Sequence, residues 1–326
     1  MQCYLGIDVS KSTLDVVLIA GNRTFHKTVA NTPQGYPQLE KWLANHEATE
    51  VQVCLEATGH YGEAVAEYLY RCGHQVSVVN PARIKRYGES KLHRNKTDKA
   101  DAALIAEFCM KEEPALWQPL SPEVKHLRAL IRRLEDQKAI LQQEINRSKS
   151  GEQDNWVLDD LRTHIVYLQE RIVATEKEIQ NFINKTPDLK SQQELLITIP
   201  GIGDLTAFIL LAEIGDISNF DNAPQLAAYA GLSPQSHRSG SSVHKKTRIS
   251  KQGRSELRRC LYMPAVVALS YNPVIQNLSD RMAKRGSLKM EIVVAAMRKL
   301  LHIAYGMLKN QLPFDPDYGA HFDFSS

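Results

Sequence analysis

Four carboxylates stand where acids are either costly or paired. Asp8 lies in GIDVS and Glu56 in CLEAT, each in or at the end of an apolar, β-branched run. Strands disfavour such residues, and a buried carboxylate needs something to compensate it. Asp98 and Asp101 sit three apart in KTDKADAALIAEF, a spacing that puts both on one face at the start of a helix. If the strands bearing Asp8 and Glu56 are neighbours and the helix crosses them, four negative groups converge and their repulsion calls for cations. Carboxylate oxygens suit Mg2+, with Mn2+ as a substitute. Two such ions about 3.5–4 Å apart stabilise the attacking and leaving oxygens of a phosphoryl transfer. Each acid has a plainer reading alone: Asp98 as an N-cap or dipole partner, Asp101 on a solvated face, Glu56 at a strand end. The combination carries the expectation.

Two basic segments accompany the acids. Arg83, Lys85, Arg86, Lys91, Arg94, Lys96 and Lys99 lead into the acidic pair, opposed by Glu89 and Asp98. Arg238, Lys245, Lys246, Arg248, Lys251, Arg254, Arg258 and Arg259 follow later, opposed by Glu256 alone. Such clusters read as polyanion-binding surface, and contacts to phosphate give affinity without sequence readout. Within the second cluster, RSGSSVHKKTRISKQGR offers Ser239, Ser241 and Ser242. Its composition favours a flexible linker; the alternative is a loop that presents a serine hydroxyl, activated by its surroundings, to a phosphate. A third feature is IPGIGD, where Gly201 and Gly203 either let backbone amides approach a phosphate at a helix start or form a tight turn in a helical core.

The elements that must position these groups are legible in outline. The first hundred residues read β-β-β-α-β-α-β followed by helix, with GNR as a hairpin turn and VQVCLEAT and QVSVVN as buried strands. From Val124 to Ile145, and again from Leu158 to Phe182, apolar residues recur at three-four spacing, interrupted by Lys138 and Thr175. That pattern predicts a long antiparallel helical hairpin of coiled-coil type whose narrow seams favour self-association. ELLITIPGIGDLTAFILLAEIG predicts two helices joined by a hairpin, and further helices follow near 254–269 and 289–308 before an irregular tail. The expected segments are an α/β domain over 1–118, the helical hairpin over 119–188, a mainly helical domain over 189–312 and the tail over 313–326.

The chain has 326 residues, 43% hydrophobic and 24% charged, with a formal net charge of +3. These are ordinary values for a globular protein. No run approaches the roughly 18 apolar residues of a membrane span, and the start lacks a secretory pattern. Five scattered cysteines argue for reduced thiols, so a cytoplasmic location is expected.

Acid-in-strand twice, then DxxD, resembles the RuvC-like branch of the ribonuclease H fold. Taken in order, GIDVSKSTLDV, CLEATGHY, NKTDKADAALIAEF, IPGIGDLTA, AGLSP, SGSSV and LRRCLYMPAVVA resemble the DEDD-type transposases of the insertion-sequence one-ten family, relatives of Piv-type DNA invertases. The resemblance spans nearly the whole chain. It implies a RuvC-like catalytic domain, a coiled-coil connector and a helical transposase domain. It also implies recombination of donor and target DNA guided by a structured non-coding (bridge) RNA. It places the metal-binding acids at Asp8, Glu56, Asp98 and Asp101 and the nucleophile at Ser239, with acids and serine supplied by different copies in a dimer to tetramer. Three rivals remain: a metal-dependent junction nuclease without a covalent link, an actin-like sugar kinase, for which the further glycine-rich motifs are missing, and a nucleic-acid-binding protein without activity.

Overall fold

The computed structural model describes residues 2–57, 61–91, 97–151, 154–239 and 243–317. The chain forms two compact units, 1–119 and 120–326, where the sequence suggests three segments and a tail.

The first unit is built on strands β1 (Cys3–Val9), β2 (Thr13–Ala20), β3 (Arg23–Ala30), β4 (Val51–Glu56) and β5 (Gln75–Val79). They form one sheet in the order β3-β2-β1-β4-β5. β1, β2 and β3 are joined antiparallel, and β4 and β5 run parallel to β1. This mixed sheet fits the ribonuclease H-like fold. The two faces of β1 follow from its period of two. Leu5, Ile7 and Val9 enter one core with Val53, Leu55, Leu39 of α1 (Tyr36–Asn45) and Val65 of α2 (Glu63–Arg71). The opposite face carries α4 (Asp98–Glu112), whose Ala102 and Ala106 pack on Val17 and whose Leu104, Ile105 and Phe108 pack around Cys54. Helix α3 (Pro81–Ser90) joins that second layer, capped by the Asn80 side chain, which accepts from the Ala82 N–H at 2.8 Å.

The second unit is helical apart from one β-hairpin. Helices α5 (Pro122–Ser148) and α6 (Asn155–Lys185) run antiparallel: His126 stacks edge-on to Phe182, Lys138 pairs with Glu176 at 2.7 Å, and Glu144 meets His164 at 3.5 Å. Lys138, the polar interruption in the apolar pattern, is thus answered by a partner acid. The seam residues Leu127, Ile131, Leu134, Ile172, Ile179 and Ile183 share one core with the rest of the unit. Leu158, Leu161 and Ile165, towards the other end of the hairpin, are only part-buried. The remaining helices are α7 (Pro187–Leu196), α8 (Asp204–Ile214), α9 (Ala223–Tyr229), α10 (Ser255–Tyr271), α11 (Pro273–Lys284) and α12 (Lys289–Asn310).

The serine-rich cationic stretch, for which composition favours a linker, forms strands β6 (Pro234–Ser239) and β7 (Val243–Ile249), paired antiparallel with Ser239 opposite Val243. A ladder of backbone bonds does not depend on side-chain polarity, which is why composition misread it. No described helix is long and apolar enough to cross a membrane.

Candidate active site

Sheet order brings the first two acids together. Ile7 pairs with Leu55 in the parallel β1–β4 register, so the next residues, Asp8 and Glu56, are neighbours at the strand ends. Both belong to the face crossed by α4, because residues two apart share a face. The first turn of α4 supplies Asp98 and Asp101. Thr97 caps that turn: its Oγ1 accepts from the Ala100 N–H at 3.2 Å, and its carbonyl accepts from the Asp101 N–H at 2.9 Å. Two acids in a first helical turn also face the positive end of the helix dipole.

The electrostatics single out Asp8 and Glu56. Partial burial raises the Asp8 carboxyl above its ordinary value, and Asp101, Asp98 and Asp15 raise it further against one backbone hydrogen bond at Val9. Burial, then Asp8 and Asp101, push Glu56 up to about 7. Carboxylate oxygens at two adjacent strand ends and one helix start are a donor set suited in kind to a hard divalent cation. Yet among the described residues no three His, Cys, Asp or Glu side chains are already gathered as a ligand set. In kind, though not as a gathered set, the four acids suit a divalent metal ion.

Two contributors escape the sequence reading. Gly6 faces α4, and a Cβ there would lie 2.8 Å from the Ala106 Cα and closer still to the Ala102 carbonyl and the Ala106 nitrogen. The missing side chain lets α4 lie against β1 two residues before Asp8. A glycine inside an apolar strand is the signal that marks such an approach. Asp15 stands opposite Asp8 in the antiparallel register. Its Oδ1 accepts from Thr28 Oγ1 at 2.7 Å and contacts His26 Nε2 at 3.1 Å. An acid in TLDVV carried the same strand signal as Asp8.

The cations divide by where the fold sends them. Arg83, Lys85 and Arg86 are exposed on α3, with Arg83 over the Phe108 ring at 5.4 Å. Arg94 and Lys96, like the candidate serines Ser241 and Ser242, lie outside the described residues. For Ser239, Arg238, Lys245, Lys246 and Arg248 the backbone places each on the hairpin. Lys251 is exposed, in the left-handed region at φ 53°. Arg254 and Arg258, grouped by sequence with the polyanion-binding cations, are engaged within their own unit. Arg258 Nη1 donates to the carbonyls of Ala230 at 2.8 Å and Gly253 at 3.2 Å. Arg254 Nε donates to the Tyr229 hydroxyl at 3.0 Å and its Nη1 stands 3.7 Å from Glu213 Oε2. The Ser250 N–H donates to the Ser233 carbonyl at 2.9 Å, which ties the two roots of the hairpin to each other, and the Lys251 N–H donates to the Gly231 carbonyl at 3.1 Å, just past α9.

The two glycines of IPGIGD differ. Gly201 has φ 105°, and a Cβ there would meet the Pro264 carbonyl at 2.8 Å, so close packing on α10 already explains it. Gly203 opens α8 with free space where a Cβ would be.

Residues 193–280 match the family described as "Transposase IS116/IS110/IS902 family", and residues 5–151 match a DEDD family model described as "Transposase". The chain is 40% identical over 317 residues to a pilin gene-inverting protein of Moraxella bovis, spanning 96% of this chain and 98% of that one. It is 27% identical to the transposase for insertion sequence element IS1328 of Yersinia enterocolitica, spanning 92% and 95%. A solved structure of T. thermophilus RuvC in complex with Holliday junction substrate is similar at 17% identity and a TM-score of 0.28, covering 36% of this chain and 99% of that chain. At that score it adds no weight to the sheet topology.

Proposed function

This chain belongs to the IS116/IS110/IS902 family of transposases, and from that premise we propose that it is an RNA-guided DNA recombinase working through a phosphoserine link at Ser239. The observation that supports the catalytic part is the adjacency of Asp8 and Glu56 at two neighbouring strand ends, with both carboxyls raised by burial and by acids that include Asp101 at the start of α4.

In this reading Asp8, Glu56, Asp98 and Asp101 would hold Mg2+, and the ion would offer positive charge beside the scissile phosphate. The chain's own groups do the rest. Ser239 Oγ bonds to phosphorus as the bond from phosphorus to one sugar oxygen breaks. The serine proton passes to a base, and the departing sugar oxygen takes one up. Lys245, Lys246 and Arg248 on the same hairpin offset charge developing on the phosphate oxygens. Rejoining is the reverse: the free hydroxyl of the exchanged strand attacks the phosphoserine and releases Oγ. The phosphodiester's free energy stays in the covalent link, so no nucleoside triphosphate is consumed. A structured non-coding RNA pairs with donor and target DNA, and acids and serine come from different copies within a dimer to tetramer.

The test is adduct trapping on nicked DNA with Mg2+, read on a denaturing gel and mapped by peptide mass. A DNA-linked peptide containing Ser239, absent in Ser239→Ala and Asp8→Asn, is the expected result. An adduct that persists in Ser239→Ala shows that another residue attacks. Cleavage by the unaltered protein with no adduct at all makes it a metal-dependent nuclease instead.

A further inference from the structure

Helices α5 and α6 leave a groove of about 330 Å³ along one side of their seam, room for several side chains. Arg133 and Gln137 of α5 and Arg171, Ala174, Thr175 and Glu178 of α6 line it. The His126–Phe182 and Glu144–His164 contacts fix the antiparallel register, which sets Gln137 level with Arg171 and Arg133 level with Thr175. At the floor Gln137 is 1% exposed, and its Oε1 has no hydrogen-bond partner among the described residues. The Thr175 hydroxyl does not serve it, because it donates to the Arg171 carbonyl of its own helix at 2.8 Å. On the rim Arg133, Arg171 and Glu178 are exposed, and no ion pair or hydrogen bond engages their charged ends among the described residues. Tyr167, one turn before Arg171 and 56% exposed, carries apolar surface along the same side.

A buried carboxamide whose oxygen lacks a donor costs free energy, and native chains seldom keep one. A rim of one charge sign would suit a polyanion; this rim carries both signs in a self-complementary order. Arg171 and Glu178 stand seven residues apart on one side of α6, a rise of about 10 Å, with the small Ala174 and Thr175 midway. A second α6 laid antiparallel about a two-fold axis between Ala174 and Thr175 sets Arg171 of each copy against Glu178 of the other. The small residues at the axis let the two helices approach. The same axis lays α5 along its counterpart, where Arg133 of one copy comes within reach of Gln137 Oε1 of the other and supplies the missing donor. A polar residue answered in this way fixes the register of a helical interface.

We propose that this groove receives a second copy of the chain, whose own α5–α6 hairpin docks antiparallel on it through two Arg171–Glu178 pairs, with Arg133 on Gln137 beside them. The inference rests on the reading of the chain as a recombinase that works as an assembly of copies, and it names the surface that joins two of them. It uses neither Ser239 nor the four acids.

The test follows assembly of the full chain by sedimentation velocity over a concentration series. The samples are the unaltered protein, Arg171→Glu, Glu178→Arg, an equimolar mixture of these two variants, and one chain carrying both substitutions. In either single variant both pairs across the axis become like-charged, and self-association should weaken at least about tenfold. In the mixture each pair is again opposite in sign, so variants that fail to join themselves should join each other. The doubly reversed chain should self-associate as the unaltered one does. Helix content by circular dichroism should match in every sample, because both side chains are exposed; a single variant that loses helix leaves the doubly reversed chain to decide. A monomeric unaltered chain overturns the proposal, as do single variants that assemble as before. A mixture and a doubly reversed chain that both stay apart overturn it too, since the pairing of signs is then not what the single variants lost. None of these outcomes touches the Ser239 adduct, so the recombinase reading stands or falls separately.

Discussion

Gly6→Ala should cripple the acid site without touching an acid. The new methyl would sit 2.8 Å from the Ala106 Cα, against the 3.4 Å at which ordinary contact begins, and nearer still to two polar backbone atoms of α4. Contact with the Cα alone demands a retreat of about 0.6 Å, and the two closer atoms raise that to the order of 1 Å. None of the clashing atoms is a side chain that can rotate away, so the helix itself must move. Asp101 immediately precedes Ala102, and Asp8 is two residues beyond Gly6, so the gap between the carboxylates opens with the helix. A displacement of about 1 Å in a catalytic group can cost on the order of 10²-fold in rate, and overpacking of this kind costs about 1–3 kcal/mol in stability. The assay is Mg2+-dependent strand cleavage beside a urea titration of the same preparation. The expected pattern is a roughly hundredfold loss of cleavage in a protein that remains folded, with a higher Mg2+ concentration needed for half-maximal rate. Unaltered cleavage and Mg2+ dependence in a folded Gly6→Ala protein would refute the idea that close approach of α4 to β1 sets the acid spacing.

Glu56 makes the metal-free protein sensitive to pH in a definite direction. Its carboxyl is raised from 4.5 to about 7, so the fold binds the proton more tightly than the unfolded chain does. Its penalty is absent below pH 4.5, grows between 4.5 and 7, and is complete above, amounting to about 3 kcal/mol. In EDTA, stability of the first unit should therefore fall between about pH 4.5 and 7, and Glu56→Gln should flatten that slope while abolishing cleavage; a slope unaffected by the substitution refutes the assignment. Glu213, 2% exposed, lies between two guanidiniums, with its Oε1 3.8 Å from Arg128 and its Oε2 3.7 Å from Arg254. Glu213→Gln leaves those charges uncompensated and should cost about 3–5 kcal/mol in the urea transition of the helical unit. Arg258→Lys keeps the charge but cannot reproduce the fork of guanidinium donors. It should speed hydrogen exchange at Ser250 and Lys251, whose N–H groups tie the hairpin roots, and unchanged exchange there would show that the roots hold without it.

The amino-acid sequence by itself determined the apolar runs of β1 and β4, the paired acids at the start of α4, and the apolar stripes of α5 and α6; the cap of α4 is Thr97, where the sequence offered Asp98. All of these rest on contacts within a few residues, or on a periodicity that each element carries alone. It also flagged the acids, because a carboxylate in an apolar strand is conspicuous wherever the strand ends up. Only the tertiary structure decided that β1 lies beside β4, which places Asp8 next to Glu56, and that Gly6 admits α4 to their face. The same holds for Arg254 and Arg258. Arginines in a basic run look alike in one dimension, and whether one meets solvent or the carbonyls of Ala230 and Gly253 depends on where distant backbone comes to rest. The β6–β7 ladder was hidden for the same reason: strand pairing is made by backbone groups brought together across a turn, and composition reports side chains.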